Sequence, residues 1–173
     1  MPTRLDIAKL DLMDALDLAA LIEAEAHKRY KTFAAQLGRR GEGDAYGVFL
    51  SMAENEAKHC KEIAERRDAM FGDTPMRVSP DDLFDVEAPP MGTPSATMST
   101  LRAFEVALAS EQKAFEFYDG ALADITNPEV RALFTELRDE ETEHVRLVEK
   151  AIAGLPPGAE LEWEDDEDEY PAL

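Results

Sequence analysis

Four stretches of this chain place apolar residues at helical spacing, and each interrupts its stripe near the middle with a glutamate. These are Glu23, Glu56, Glu111 and Glu141. In the second and fourth stretches a histidine follows three residues later, giving Glu56-x-x-His59 and Glu141-x-x-His144. Side chains at i and i+3 share a helix face, so each pair can converge on one point. Acids aimed inward from four helices demand a fold that gathers and neutralises them, because an isolated buried carboxylate is too costly to keep charged.

The periodicity predicts helices over about residues 12–37, 44–70, 98–124 and 127–154, and no strand. Gly38 and Gly41 break the first from the second, and Gly72 and Pro75 stop the second. Asn127 can cap the fourth helix, with Pro128 at its first position and Glu129 favouring its positive end. Between the second and third helices lies an aperiodic, proline-rich stretch of about residues 71–97. It is too long for a tight turn and reads as a crossover, with a short helical turn near residues 81–84. Connections that run short, long, short define an all-α fold: a ferritin-like antiparallel four-helix bundle of two helical hairpins joined by a long crossover. The bundle would span residues 1–154, leaving 155–173 as an acidic, flexible tail with eight acids after Gly158.

Turn positions put the acids at one depth. Counted from a first turn near Arg40, Glu23 lies 17 residues before and Glu56 lies 16 after. Around a second turn near Ile125, Glu111 and Glu141 each lie about 15 residues away. At a 1.5 Å rise per residue, all four sit roughly 22–26 Å from their turns. The halves also echo each other, since Tyr30 follows Glu23 by seven residues and Tyr118 follows Glu111 by seven. Two divalent cations would cancel four carboxylates and use all six ligands, Glu23, Glu56, His59, Glu111, Glu141 and His144. That donor set suits iron or manganese, with zinc an alternative. Glu25, Glu54, Glu140 and Glu143 read as bystanders, because Glu141 and not Glu140 repeats the spacing to histidine.

Composition narrows the partners. With 18 basic and 38 acidic residues the formal net charge is −20, which argues against nucleic acid and anionic membrane surfaces and favours cations. No apolar run approaches the roughly 20 residues of a membrane span. The first residues lack the apolar segment of a signal peptide, so a cytoplasmic location is expected. The single cysteine, Cys60, excludes an internal disulfide or a Cys-rich metal site in this sequence and reads as packing between helices.

The stretches "EAEAHKRYKTFA", "AENEAKH" and "DEETEH" resemble the erythrin domain of rubrerythrins, in the ferritin-like superfamily. The resemblance covers about residues 12–153 and implies two iron ions per bundle. It implies that Glu56 and Glu141 bridge the ions, that Glu23 and Glu111 are terminal carboxylates, and that His59 and His144 complete the spheres. Tyr30 and Tyr118 would hydrogen-bond carboxylates, the alternative being plain core packing. Two departures stand out. Rubrerythrins carry a rubredoxin domain with four cysteines, which this sequence lacks. They also carry a glutamate one turn past the third-helix ligand that exchanges with a histidine on oxidation, whereas Gln112, Lys113, Ala114 and Phe115 follow Glu111 here. His27, at i+4 from Glu23, is a candidate ligand or proton donor instead; its plain alternative is one hydrogen bond on the helix flank.

The expected function is a non-haem di-iron oxidoreductase acting on hydrogen peroxide or dioxygen, as peroxidase or ferroxidase, with an external electron donor and a homodimeric state. The alternatives are an iron-binding, delivery or storage partner without turnover, whose acidic tail docks a partner, and a di-iron hydroxylase with an organic substrate.

Overall fold

The computed structural model describes residues 6–41, 43–80 and 86–162. After a single 3-10 turn at Ile7–Lys9 come four helices: α1 (Leu12–Leu37), α2 (Ala45–Phe71), α3 (Thr100–Ala121) and α4 (Pro128–Ala153). All four predicted helices are present, and no strand occurs among the described residues. The expected turn near residues 81–84 lies outside them.

Each helix starts on a side-chain cap. Asp11, Asp44 and Ser99 accept from the backbone N–H three residues on, and Asn127 accepts from Glu129 and Val130 ahead of Pro128. Asp44 does more, because its second oxygen also accepts from Arg40 N at 2.6 Å and Gly41 N at 3.0 Å. One carboxylate therefore holds both the α1–α2 turn and the start of α2. Gly38 and Gly72 end α1 and α2 at φ of 63° and 54°, which a side chain would strain.

The hairpins α1/α2 and α3/α4 form the closest pairs, with the long crossover between them, as in a ferritin-like bundle. The apolar core comes in two blocks. One gathers Leu16, Leu18 and Ile22 of α1, Ile63 of α2, Tyr118 of α3, and Leu133, Phe134 and Leu137 of α4. The other gathers Tyr30 and Phe33, Phe49 and Met52, Ala103 and Ala107, and Val148. In every helix Glu23, Glu56, Glu111 or Glu141 falls between its two contributions. The acids thus form a polar layer between two dry plugs.

Helical spacing predicts Leu101, Phe104, Leu108, Glu111, Ala114 or Phe115, Tyr118 and Leu122 on the inward face of α3, and the helix is rotated from that expectation. Its buried line is Ala103, Ala107, Ser110, Glu111, Ala114 and Tyr118, while Leu101, Phe104 and Leu108 are only half-buried. Mostly small residues face inward there, with Val106 among them, and the bulkier ones cover the flanks. Beyond α4, residues 155–161 turn back so that Leu101 N donates to Ala159 O at 2.9 Å, tying the start of the C-terminal segment to α3. No helix is long and apolar enough to cross a membrane.

Candidate metal centre

The helices deliver the six expected ligands as two matching sets. Glu23, Glu56 and His59 offer ligand atoms within 4.8 Å of one another, and so do Glu111, Glu141 and His144. His59 Nδ1 lies 3.8 Å from both Glu23 Oε2 and Glu56 Oε2. His144 Nδ1 is closer to its acids, 3.2 Å from Glu111 Oε2 and 3.4 Å from Glu141 Oε2. The two imidazoles stack almost parallel, with centroids 4.6 Å apart and 6° between planes, which brings α2 and α4 together at this level. All four glutamates are buried, with at most 2% exposed. The histidines are half-buried and rim the solvent side, where His59 borders a small cavity of about 80 Å³ shared with Glu62, Glu136 and Glu140.

A fifth carboxylate joins them. Glu87 comes from the crossover, is 1% exposed, and groups with Glu23 and Glu141 and also with Glu56 and Glu111. Sequence reasoning missed it because no period assigns faces in that stretch. The available signal was an acid between Val86 and Ala88, a short apolar run inside a polar, proline-rich segment.

The electrostatics are those of five crowded buried acids with little counter-charge beside them. Burial, followed by the charge of Glu56, pushes Glu23 well above the usual carboxylate range. Burial and the charges of Glu23 and Glu56 do the same to Glu87. Burial and the charge of Glu111, against a hydrogen bond from His144, carry Glu141 up to about 8. Glu56 goes the other way: burial would raise it, but the closeness of His59, then of Glu23 and Glu87, outweighs that and holds it below the usual value. Burial disfavours the charged form of His144, yet its bonds to Glu111 and Glu141 prevail and raise it to about 10.

The donor set fits a pair of metal ions. Seven of the ten oxygens on these five glutamates are buried with no hydrogen-bond partner, namely one each on Glu23, Glu111 and Glu141 and both on Glu56 and Glu87. Native structures rarely leave so many buried acceptors unsatisfied in one place. Cations would supply both the missing partners and the missing charge.

The remaining candidates fall around this layer. Tyr30 and Tyr118 are fully buried, and neither hydroxyl has a hydrogen-bond partner. Burial raises both pKa values well above the ordinary one, assisted by the charge of Glu111 for Tyr30 and of Glu23 and Glu141 for Tyr118. His27 donates from Nδ1 to Ala53 O at 2.7 Å, which ties α1 to α2, and it belongs to neither ligand set. Cys60 Sγ lies 3.5 Å from Ala20 O, another α1–α2 contact, and burial raises its thiol pKa. Glu25 pairs with Arg29 at 3.0 Å and Glu143 with Arg146, while Glu54 and Glu140 are exposed, so none of these bystanders joins the layer. A cavity of about 640 Å³ opens elsewhere, between the starts of α2 and α3 and residues 155–159, and none of the ligand residues lines it.

A four-helix bundle with mirrored Glu/Glu/His sets in its core defines the ferritin-like class, with a site compatible with a di-iron centre. The chain belongs to the rubrerythrin family, whose model matches residues 14–152 and again 102–172. Among solved structures it is similar to an uncharacterized conserved protein from Magnetospirillum magnetotacticum, at 30% identity and a TM-score of 0.64 over 85% of this chain and 97% of that one. A hypothetical protein from Pyrococcus furiosus shares the fold, at 22% identity and a TM-score of 0.53 over 88% of this chain and 94% of that one. No curated protein matches.

Proposed function

We infer that this chain is a rubrerythrin-type non-haem di-iron oxidoreductase that reacts with hydrogen peroxide or dioxygen. The observation that carries the reading is the pair of mirrored Glu/Glu/His sets in one buried carboxylate layer, most of whose oxygens lack a hydrogen-bond partner. Glu23, Glu56 and His59 would hold one ion, and Glu111, Glu141 and His144 the other, and the family resemblance gives Glu56 and Glu141 the role of shared carboxylates. Two ferrous ions held there would supply one electron each to an oxidant.

The chain's own residues do the rest. Ile22 and Ala26 of α1, with Leu137 of α4, belong to the apolar plugs that keep bulk water from both ends of the layer. His144 and the raised carboxyls hold protons in the metal-free protein and must release them to ligate. The Tyr30 and Tyr118 hydroxyls, buried in the plugs that flank the layer, keep their protons, helped by the charge of Glu111 for Tyr30 and of Glu23 and Glu141 for Tyr118. In this reading an external donor returns the electrons, the protein is a cytoplasmic homodimer, and Fe is the native metal.

The small cavity at His59, lined by Glu62, Glu136 and Glu140 together with Arg66 and three apolar residues, gives a second reading its footing, in which the chain takes up iron as substrate and oxidises, stores or delivers it. The hydroxylase alternative finds no support in the 640 Å³ cavity, which none of the ligand residues lines.

Metal-free protein given two Fe²⁺ per chain without oxygen, then mixed with peroxide or with dioxygen, separates these readings. Fast peroxide consumption with iron retained establishes the peroxidase. Oxidation followed by uptake of many more ions establishes iron handling. Failure to bind close to two ions per chain refutes the site.

A further inference from the structure

The six-ligand assignment leaves one buried acid without a task. Glu87 sits on a connecting segment, where an ionisable side chain normally turns to water. Here both its oxygens are buried and unpartnered. The backbone just after it is held from two helices: Lys113 of α3 donates to Ala88 O at 2.9 Å, and Arg29 of α1 donates to Pro89 O at 2.6 Å. Val86, Ala88 and Pro89 are buried around it, so the segment is packed in place.

The groupings of Glu87 cross the two ligand sets. Its carboxylate lies within 4.8 Å of ligand atoms on Glu23 and Glu141, and again of those on Glu56 and Glu111. Each grouping takes one acid from the first set and one from the second. A carboxylate placed in that way would be within reach of both ions, and it has two oxygens to give.

Resting on the di-metal reading above, we propose that Glu87 is a seventh ligand that spans both ions from the crossover, so that metal loading fastens the crossover onto the bundle. Arg29 and Lys113 are positioning residues that hold the flanking carbonyls while Glu87 points inward. Among the described residues, Glu87 groups with Glu23, Glu56, Glu111 and Glu141, and Lys113 and Arg29 hold the carbonyls that follow it. With metal the segment gains a tether to a site built by all four helices. Local opening of this stretch should then need release of that bond first.

The test uses Co²⁺, whose visible spectrum reports the ligand set, on the full chain and on Glu87→Gln and Glu87→Ala. Far-UV circular dichroism checks folding, and hydrogen exchange is followed in peptides covering residues 86–93. Wild type should take two Co²⁺, with exchange in those peptides slowed roughly ten-fold or more on loading. The Gln variant, close to Glu in size, should bind Co²⁺ roughly ten-fold more weakly with a changed spectrum. The Ala variant should lose most of the metal-induced protection. If either folded variant keeps the wild-type spectrum and the wild-type protection on loading, the proposal is overturned while the six-ligand site stands. If wild type itself fails to bind two Co²⁺, the di-metal reading falls and this proposal with it. Should Glu87→Ala not fold, Glu87→Gln decides through its spectrum and affinity.

Discussion

Removing metal should make the stability of this protein fall as pH rises through neutrality. Two groups set the window. Glu141 is raised from 4.5 to about 8, and His144 from 6.5 to about 10. In each case the folded state holds a proton that the unfolded chain has already lost. That stability is complete below the unfolded pKa and is lost as pH climbs through the folded one. The windows overlap between pH 6.5 and about 8. Glu23 and Glu87, also raised, act in the same direction. Glu56 is lowered, so its opposite contribution lies below pH 4.5 and outside this window. Each extra proton held by the folded state makes unfolding easier by about 1.4 kcal/mol per pH unit. These groups titrate as one cluster, so the shifts are not summed, and one extra proton is the conservative figure. For a chain of this size that corresponds to a fall in Tm of roughly 3–6 °C per pH unit. Exposed carboxylates are fully ionised throughout, so they add no slope of their own. Thermal unfolding of chelator-treated protein at pH 6.5, 7.2 and 8.0 measures it, with Glu141→Gln as the control whose slope should be shallower. Metal displaces the protons, so the Tm gain from adding Mn²⁺ should grow across the same range. A metal-free Tm that stays flat or rises between pH 6.5 and 8 would refute this reasoning.

Glu56→Ala or His144→Ala should each lower bound metal below two ions per chain, measured by elemental analysis after dialysis, and full retention would count against their assignment. His27→Ala should keep both metals and the peroxide rate, because the ring is committed to Ala53 O, and should lose about 1 kcal/mol in chemical denaturation. Arg67→Ala should destabilise by about 3–5 kcal/mol in the same assay. It strands the buried Asp17, 2.8 Å away, and abandons the carbonyls of Gly72 and Thr74 that Arg67 also holds. Asp44→Ala should cost about 1–2 kcal/mol through loss of the cap and the turn it holds, with metal content unchanged.

The sequence by itself determined the four helices, the Asn127 cap, the long crossover and the six Glu and His residues that the fold brings into two sets. These depend on local quantities: a period of 3.6 residues, the spacing to a turn, and the i, i+3 geometry that sets His59 beside Glu56 and His144 beside Glu141. Antiparallel pairing converts equal spacing from a turn into equal depth, so the level of the acids was legible before any contact was known. Tertiary structure decided what periodicity cannot express. The rotation of α3 brought Ala103, Ala107 and Ser110 inward in place of Leu101, Phe104 and Leu108, because close packing beside the acid layer selects small side chains over bulky ones. The partners of His27 and Cys60 are backbone carbonyls on a neighbouring helix, and such a contact leaves no mark in side-chain spacing. Glu87 is the clearest case. Its position depends on the path of an irregular segment, set by Arg29 and Lys113, which lie 60 and 25 residues from the carbonyls they hold. No local rule ties those residues together, so only the folded chain could place a fifth carboxylate among the other four.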